Sequence, residues 1–339
     1  EVLHSVPRQA NIFNGLRGIR LKPWARADAR GSFAAAVYDG IRANSGIVYL
    51  GQDVAEIGGV NVLTSLRKDF AEQESFVKNK LPHYKDFELF GSIPLKPLFP
   101  DRIFDTPLAE AMIVGTGLGL SLAGARPVME MQFSGFIWIA VRHIVEFARM
   151  MQRNAGLIDT PGVVVCPYGS GEYIEYHRGW EAPSFQNMPG IIIACPYSIQ
   201  DFYDMPLAAL DSNKFVLLFL HKRLFRKRMA EGEKLIRRPP EKPLEFFGAQ
   251  VVRRGNDLTI TTYGFLVDEA LKAAEELEHK GISAEVLALR IISPLPWDDI
   301  ATSVIKTGRL LTVDEGPAMG NVGSEIAGRV ARNFLVLEN

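Results

Sequence analysis

The chain of 339 residues is 47% hydrophobic and 23% charged, a composition suited to two ordinary domains with their own cores and not to a fibrous or disordered polymer. With 38 basic against 39 acidic residues the net charge is −1, which excludes a general attraction to nucleic acid or anionic lipid. No long apolar window escapes a glycine break and the start has no apolar core of the signal-peptide kind, so a soluble chain without a leader is expected.

In chain order, residues 1–30 show no periodicity and read as an N-terminal arm. A helix is expected over 32–43, where Phe33, Ala36, Val37, Gly40 and Ile41 share one face, and then a strand over 46–50 that runs into GQDVAEIGG. A helix over 61–70 follows. The stretch 71–98 mixes lysine and glutamate with Phe76, Tyr84, Phe87, Phe90 and three prolines, with Phe99 just beyond. It reads as an inserted surface excursion, either an interface patch or a self-packed loop.

From 101 onward, apolar strands over 102–104, 127–131, 162–166, 191–195 and 215–220 alternate with helices over 109–123, 136–153 and 199–211. Uninterrupted apolar strands of this kind belong to a parallel sheet covered on both faces. Residues 227–246 are charged, carry Pro239, Pro240 and Pro243, and read as a linker. Beyond it come strands over 258–263, 284–288 and 310–314 with helices over 267–280, 298–307 and from 322, and Gly281 is placed as a helix stop. The fold class is therefore α/β. A parallel-sheet domain spans 31–226 with its insertion at 71–98, and a smaller α/β domain spans 247–339.

Several local signals have bland readings beside sharp ones. Cys166 and Cys195 sit in apolar strands without zinc spacing and read as inert buried thiols of a reducing compartment, either a prokaryotic cytoplasm or a mitochondrial matrix. The basic run from His221 to Arg228 reads as a solvated loop or a salt-bridging surface and not as a nucleic-acid patch, since no aromatic platform or repeat accompanies it. GTGLGLSLAG lacks the G-x-G-x-x-G spacing, so Gly115, Gly117 and Gly119 indicate close helix packing instead of a dinucleotide site. No P-loop and no G-x-S-x-G elbow occur. YGSGEYIEYHRGWEAPSF presents His177 among aromatics after a strand end, where α/β sheets bind ligands, although a lone histidine is more often structural. Glu172, Glu175 and Arg178 beside it read as solvent-facing, and His143 as a packed or subunit-facing residue. DEGPAMGNVGSEIAGRVA is either a phosphate cradle or a strand-to-helix turn with Glu315 at a subunit contact.

One acid stands out. Glu110 opens a run from Ala111 to Ala125 with no charge until Arg126, and burying a carboxylate there costs several kcal/mol unless something pairs with it. Either it serves a helix end or it serves chemistry.

YLGQDVAEIGGV, RIFDTPLAEAMIVGTGLGLSLAGARPVMEMQF, the Tyr176–His177 loop with Pro189–Gly190, DLTITTYGFLVDEALKAAEELEHKGISAEVLALRIISPLPWDDI and KTGRLLTVDEG occur in this order over roughly 30–331. Together they resemble the β subunit of the thiamine-diphosphate-dependent first component of 2-oxoacid dehydrogenase complexes, of the pyruvate and branched-chain type. The resemblance implies a pyrimidine-binding domain followed by a transketolase-like C-terminal domain. It gives Glu110 a hydrogen bond to N1′ of the cofactor's aminopyrimidine, and a carboxylate in a dry site there favours the imino tautomer that takes up the C2 proton. It places Leu108 against the cofactor and Gln132 and Phe136 in the pyrimidine pocket. His177 becomes the loop histidine that helps deliver the acyl group to a lipoyl arm. Carbonyls around Ala208, Asp211 and Asn213 resemble the family's structural potassium site.

Three departures accompany the match. Gln52, a cofactor-side residue, stands where the family commonly has glutamate and cannot relay a proton; His177 is followed by Arg178, Gly179 and Trp180 in place of Ser-Gln-Ser; and the excursion 71–98 is additional. No G-D-G with a following Asn motif occurs, so the magnesium and diphosphate contacts are expected from an α subunit of an α₂β₂ assembly, beside a second β subunit and a lipoyl acyltransferase. Two other readings remain at this level: a transketolase-like or biosynthetic acyl-transfer enzyme that does not use lipoamide, and a non-catalytic scaffold.

Overall fold

The computed structural model describes residues 24–25, 28–55, 95–96, 99–153, 159–169, 177, 179–231, 233–239 and 242–334. The expected helix over 61–70, nearly all of the excursion 71–98 with its aromatics, and Glu172, Glu175 and Arg178 lie outside the described residues.

The first strands are short or wholly apolar. They comprise β1 (Trp24–Ala25), β2 (Ile47–Gly51), β3 (Ile103–Asp105), β4 (Arg126–Glu130), β5 (Gly162–Tyr168), β6 (Ile191–Ala194), β7 (Phe215–His221) and β8 (Lys234–Leu235). The second half supplies β9 (Ala249–Arg253), β10 (Leu258–Thr262), β11 (Ala284–Leu289), β12 (Ile291–Ser293) and β13 (Leu310–Thr312). The helices are α1 (Ala29–Ala43), α2 (Glu110–Leu122), α3 (Ile137–Arg153), α4 (Asp201–Asp211), α5 (Leu266–Glu278), α6 (Trp297–Thr307) and α7 (Val322–Phe334).

The large sheet runs β12-β6-β7-β5-β4-β2-β3 and is parallel from β6 through β3. Strands β5, β6 and β7 are buried along their whole length, as strands must be when both faces are covered. On one face, α1 and α4 pack around Phe33, Tyr49, Val128, Tyr203 and Leu218. Helix α1 starts where Asp28 Oδ1 accepts the Gly31 N–H at 2.7 Å, three residues before the expected boundary. On the other face, α2 and α3 cover Met129, Val164, Phe147 and Phe215.

Glycine makes the α2 contact possible. A Cβ on Gly117 would lie 2.1 Å from Met129 Sδ, so only a residue without one lets the helix meet β4 this closely, whereas a Cβ on Gly119 meets nothing within 4 Å.

The second sheet, β13-β10-β11-β9, carries α5, α6 and α7, and only β9 runs antiparallel in it. Two features of this half differ from expectation. β12 leaves the second sheet and pairs antiparallel with β6, so residues 291–293 extend the first sheet, and Leu287, Leu289, Ile292, Ile300 and Val322 join the same apolar cluster as Phe215 and Val164. The expected linker 227–246 is also bound: β8 pairs with β1, and Arg237 donates to the buried Asp39 of α1.

Candidate active site

In this sheet the C-terminal ends of β2, β3, β4, β5 and β7 lie side by side, the edge at which parallel α/β sheets hold ligands. The sequence places its candidates there: Gln52 after β2, Leu108 and Glu110 after β3, Gln132 and Phe136 after β4, His177 after β5.

Glu110 is the first residue of α2, capped by Ala109 through no side chain. It is only 5% exposed, yet among the described residues its carboxylate has no hydrogen bond or ion pair. The positive end of the helix dipole lies beside it, which favours an anion but satisfies no lone pair. A carboxylate without a protein partner, on a buried residue at the ligand edge of the sheet, matches one that waits for a donor from a bound group. Leu108, just ahead of the helix, is 66% exposed, so its side chain is presented rather than packed.

The turn after β2 is tied to this segment and to β4. Thr106 N–H donates to the Gly51 carbonyl at 3.0 Å and Ala55 N–H to Asp105 Oδ1 at 2.8 Å. Asp53 is the only non-glycine among the described residues with positive φ, at 57°, and its Oδ2 accepts from Gln132 Nε2 at 2.8 Å. Strain of this kind gathers at functional turns. Gln132 is therefore held by Asp53, a residue that sequence reasoning passed over in favour of its neighbour Gln52. No contact of Gln52 distinguishes it in the described structure.

Behind this turn lies a buried acid the sequence did not flag. Glu130 ends β4 opposite Gly51, accepts a hydrogen bond from the Tyr49 hydroxyl, and is pushed by burial up to about 8.

The aromatic wall is continuous. The His177 imidazole stacks on Phe133 with centroids 3.9 Å apart and planes 11° apart, and Phe136 meets both rings edge-on at 6.1 Å. The structure thus brings His177 and Phe136 together through Phe133, which sequence reasoning missed although it stands next to Gln132. His143, on α3, lies against Gly115 of α2, where a Cβ would meet its ring at 3.2 Å, and it is half-buried in an open cleft beside Met112 and Thr116.

Other expectations need correction. The run from His221 is not a solvated loop at its start: His221 is 1% exposed and Lys222 is buried, because both have partners on distant elements. His221 Nε2 lies 2.7 Å from Glu315 Oε2, an intramolecular contact that the sequence reading of Glu315 did not include. In the DEG turn, Asp314 Oδ2 accepts the Gly323 N–H at 2.9 Å, which serves the start of α7.

At the turn expected to hold potassium the structure has an arginine. Ala208, Asp211 and Asn213 sit at the C-terminal end of α4, at the sheet edge opposite Glu110. The Arg126 guanidinium already reaches the carbonyls of Leu210, Asp211 and Ser212 at 3.2, 3.4 and 2.8 Å and Asn213 Oδ1 at 2.6 Å, while the Ala208 carbonyl takes the Ser212 N–H. Of the carbonyls expected to hold the ion, that of Asp211 is thus shared with a side-chain cation. Among the described residues no cluster of His, Cys, Asp and Glu is suited to a metal ion, and no helix is long and apolar enough to cross a membrane. Cys166 and Cys195 are buried free thiols whose ionisation burial pushes upward, as inert thiols should be.

Two α/β domains of this order, with the site at the ligand edge of the first, define a transketolase-type architecture. Residues 26–228 match the transketolase pyrimidine-binding domain and residues 248–338 the transketolase C-terminal domain. More narrowly, the chain belongs to the family of 2-oxoacid dehydrogenase E1 component β subunits. It is 35% identical over 311 residues to the pyruvate dehydrogenase E1 component subunit beta of Bacillus subtilis, covering 89% of this chain and 86% of that one. It is also 35% identical over 303 residues to the 2-oxoisovalerate dehydrogenase subunit beta of the same organism, covering 88% and 83%. Among solved structures, "Split gene transketolase, inactive beta4 tetramer" superposes with a TM-score of 0.64 at 19% identity, over 91% of this chain and 85% of that one, a likeness of fold.

Proposed function

We propose that this chain is the β subunit of a 2-oxoacid dehydrogenase that decarboxylates pyruvate or a branched-chain 2-oxoacid with thiamine diphosphate and passes the acyl group to a lipoyl domain. The observation that carries the reading is Glu110: buried, at a helix start on the ligand edge, with no partner in the protein among the described residues. When bound, thiamine diphosphate supplies a nucleophilic thiazolium carbon and an electron sink for the loss of carbon dioxide.

The chain's own residues do the rest. Glu110 accepts the hydrogen bond of the aminopyrimidine N1′ and holds that ring in the protonation state that activates C2. Leu108, presented to the ligand edge, would touch the cofactor. Gln132, held by Asp53, and Phe136 line the pyrimidine. His177, stacked on Phe133, stands at the mouth where acceptor enters. Gln52 offers an amide and no titratable proton, so proton exchange between paired sites does not run through it.

The lack of a G-D-G and Asn motif assigns magnesium and the diphosphate to an α subunit. A second β subunit suits the apolar surface that Met112, Leu122, Trp138 and Ile139 expose along α2 and α3. The third partner is a lipoyl acyltransferase. The two free buried thiols fit a cytoplasmic enzyme.

The test is to reconstitute variants with the α partner and measure C2 proton exchange by NMR, decarboxylation with an artificial electron acceptor, and transfer to a lipoyl domain. Glu110→Gln keeps the shape and removes the carboxylate, and exchange and decarboxylation should both fall by roughly 10²- to 10⁴-fold. His177→Ala should lose most in transfer. Wild-type exchange in Glu110→Gln would return Glu110 to a structural role at the helix start.

A further inference from the structure

Lysine is seldom buried, and its desolvation has to be met by partners. Lys222 is only 9% exposed, in the 3₁₀ turn that follows β7. Its ammonium donates to the backbone carbonyl of His177 and lies 4.9 Å over the ring of Phe133, the ring on which the His177 imidazole stacks. One cation thus grips both the backbone of the loop histidine and the aromatic surface that orients its side chain. A charge-assisted bond in a site of low dielectric is worth more than its neutral counterpart.

The place of Lys222 is itself set from the second domain. Its chain neighbour His221 is stacked on Phe265, meets Tyr168 edge-on, takes the Arg223 N–H at Nδ1 and faces Glu315 at Nε2. The loop is braced on the same side, for Trp180 packs on Gly316, where a Cβ would come within 3.2 Å of the indole. Gly179, with φ +35°, presses so closely on Ser134 that a Cβ would lie 1.8 Å from its hydroxyl.

We propose that Lys222 is the positioning residue for His177, fixing the loop carbonyl and sharing Phe133 with the imidazole while the His221–Glu315 contact anchors it from the second domain. The inference rests on the reading of His177 as the acyl-transfer histidine, and its test separates the two. In the full chain, without any activity, the rate of His177 carbethoxylation by diethyl pyrocarbonate is read by peptide mass spectrometry. A stacked imidazole reacts slowly, so Lys222→Met should raise that rate and Lys222→Arg, which keeps a cationic donor, should return it most of the way.

In the enzyme reconstituted with the α subunit, Lys222→Met should lower transfer to the lipoyl domain by roughly ten- to a hundredfold, more than it lowers artificial-acceptor decarboxylation. Adding Lys222→Met to His177→Ala should cost nothing further in transfer, because both remove one function. Unchanged His177 reactivity in Lys222→Met, failure of Lys222→Arg to restore it, or additive losses in the double variant would overturn the assignment. If Lys222→Met does not fold, Phe133→Leu must raise His177 reactivity by removing the shared ring, and an unchanged rate would overturn it equally. A wild-type complex without 2-oxoacid turnover would defeat the function reading and leave the reactivity arm to decide on Lys222.

Discussion

Replacing Glu130 by glutamine should change how stability depends on pH, and the structure gives the size of the change. Glu130 ends β4 beneath the Gly51 turn, buried, with the Tyr49 hydroxyl donating to it. Burial raises its carboxyl from the ordinary 4.5 to about 8. A raised acid means that the folded chain binds the proton more tightly than the unfolded one. The stabilisation is therefore complete below the unfolded value, near 4.5, and is lost progressively as pH rises from there through about 8. At about 1.4 kcal/mol per pH unit, stability attributable to this group falls by roughly 4 kcal/mol between pH 5 and pH 8.

The Glu130→Gln side chain would keep an acceptor for the Tyr49 hydroxyl and have no proton to lose, so it isolates this one group from every other carboxylate. The two domains share a core, so urea unfolding of wild type and Glu130→Gln followed by circular dichroism should show one main transition. The variant should gain on wild type steadily as pH rises, with most of the gain between pH 6 and pH 8. A stability difference that is the same at pH 5 and pH 8 would refute the claim that Glu130 is buried in its neutral form.

Two further outcomes follow from packing and charge. Gly117→Ala drives a methyl into Met129 and should cost about 1–3 kcal/mol, whereas Gly119→Ala meets open space and should add about 0.5–1 kcal/mol to the isolated chain; thermal melts of both variants check the contrast. Asp39→Ala strands the enclosed Arg237 and removes the acceptor of the Tyr203 hydroxyl, so a loss of about 3–5 kcal/mol is expected in urea unfolding, with partial recovery when Arg237→Met is added.

What was legible in the sequence was what local patterning encodes. Buried parallel strands such as Phe215–His221 are plain apolar runs, and the helix after DTPLA begins at Glu110, within a residue of where its pattern starts. The segment 291–293 was not legible as a strand of the first sheet, because its partner β6 lies far upstream in the other domain and antiparallel pairing at a sheet edge leaves no periodic trace in so short a run. The basic run misled for a similar reason. Charge is a local property of His221 and Lys222, but their burial depends on Glu315 and His177, 94 and 45 residues away in the chain. Asp53 was hidden as well, since a positive φ on a non-glycine is a tertiary effect that the dipeptide Gln52–Asp53 does not announce.

The second domain contributes no residue to the expected cofactor contacts, yet it closes the first domain in two places. β12 covers the open edge of β6, which would otherwise offer unpaired backbone groups to another chain, and Leu287, Ile292 and Val322 complete the apolar layer over that sheet. Its DEG turn then reaches the ligand edge, where Glu315 holds His221 and Gly316 receives Trp180. Gly264 is drawn into the same seam: a Cβ there would lie 2.1 Å from the Tyr168 hydroxyl, the side chain that meets His221 edge-on. The residues proposed to meet a cofactor thus all come from one domain, while His177 touches Phe133, Phe136 and Lys222, and their neighbours His221 and Trp180 lean on the other domain. On the proposed reading, a site divided in this way lets the acceptor end vary, as the Arg178–Trp180 departure after His177 does, without disturbing the Glu110 carboxylate to which that reading gives the first chemical step.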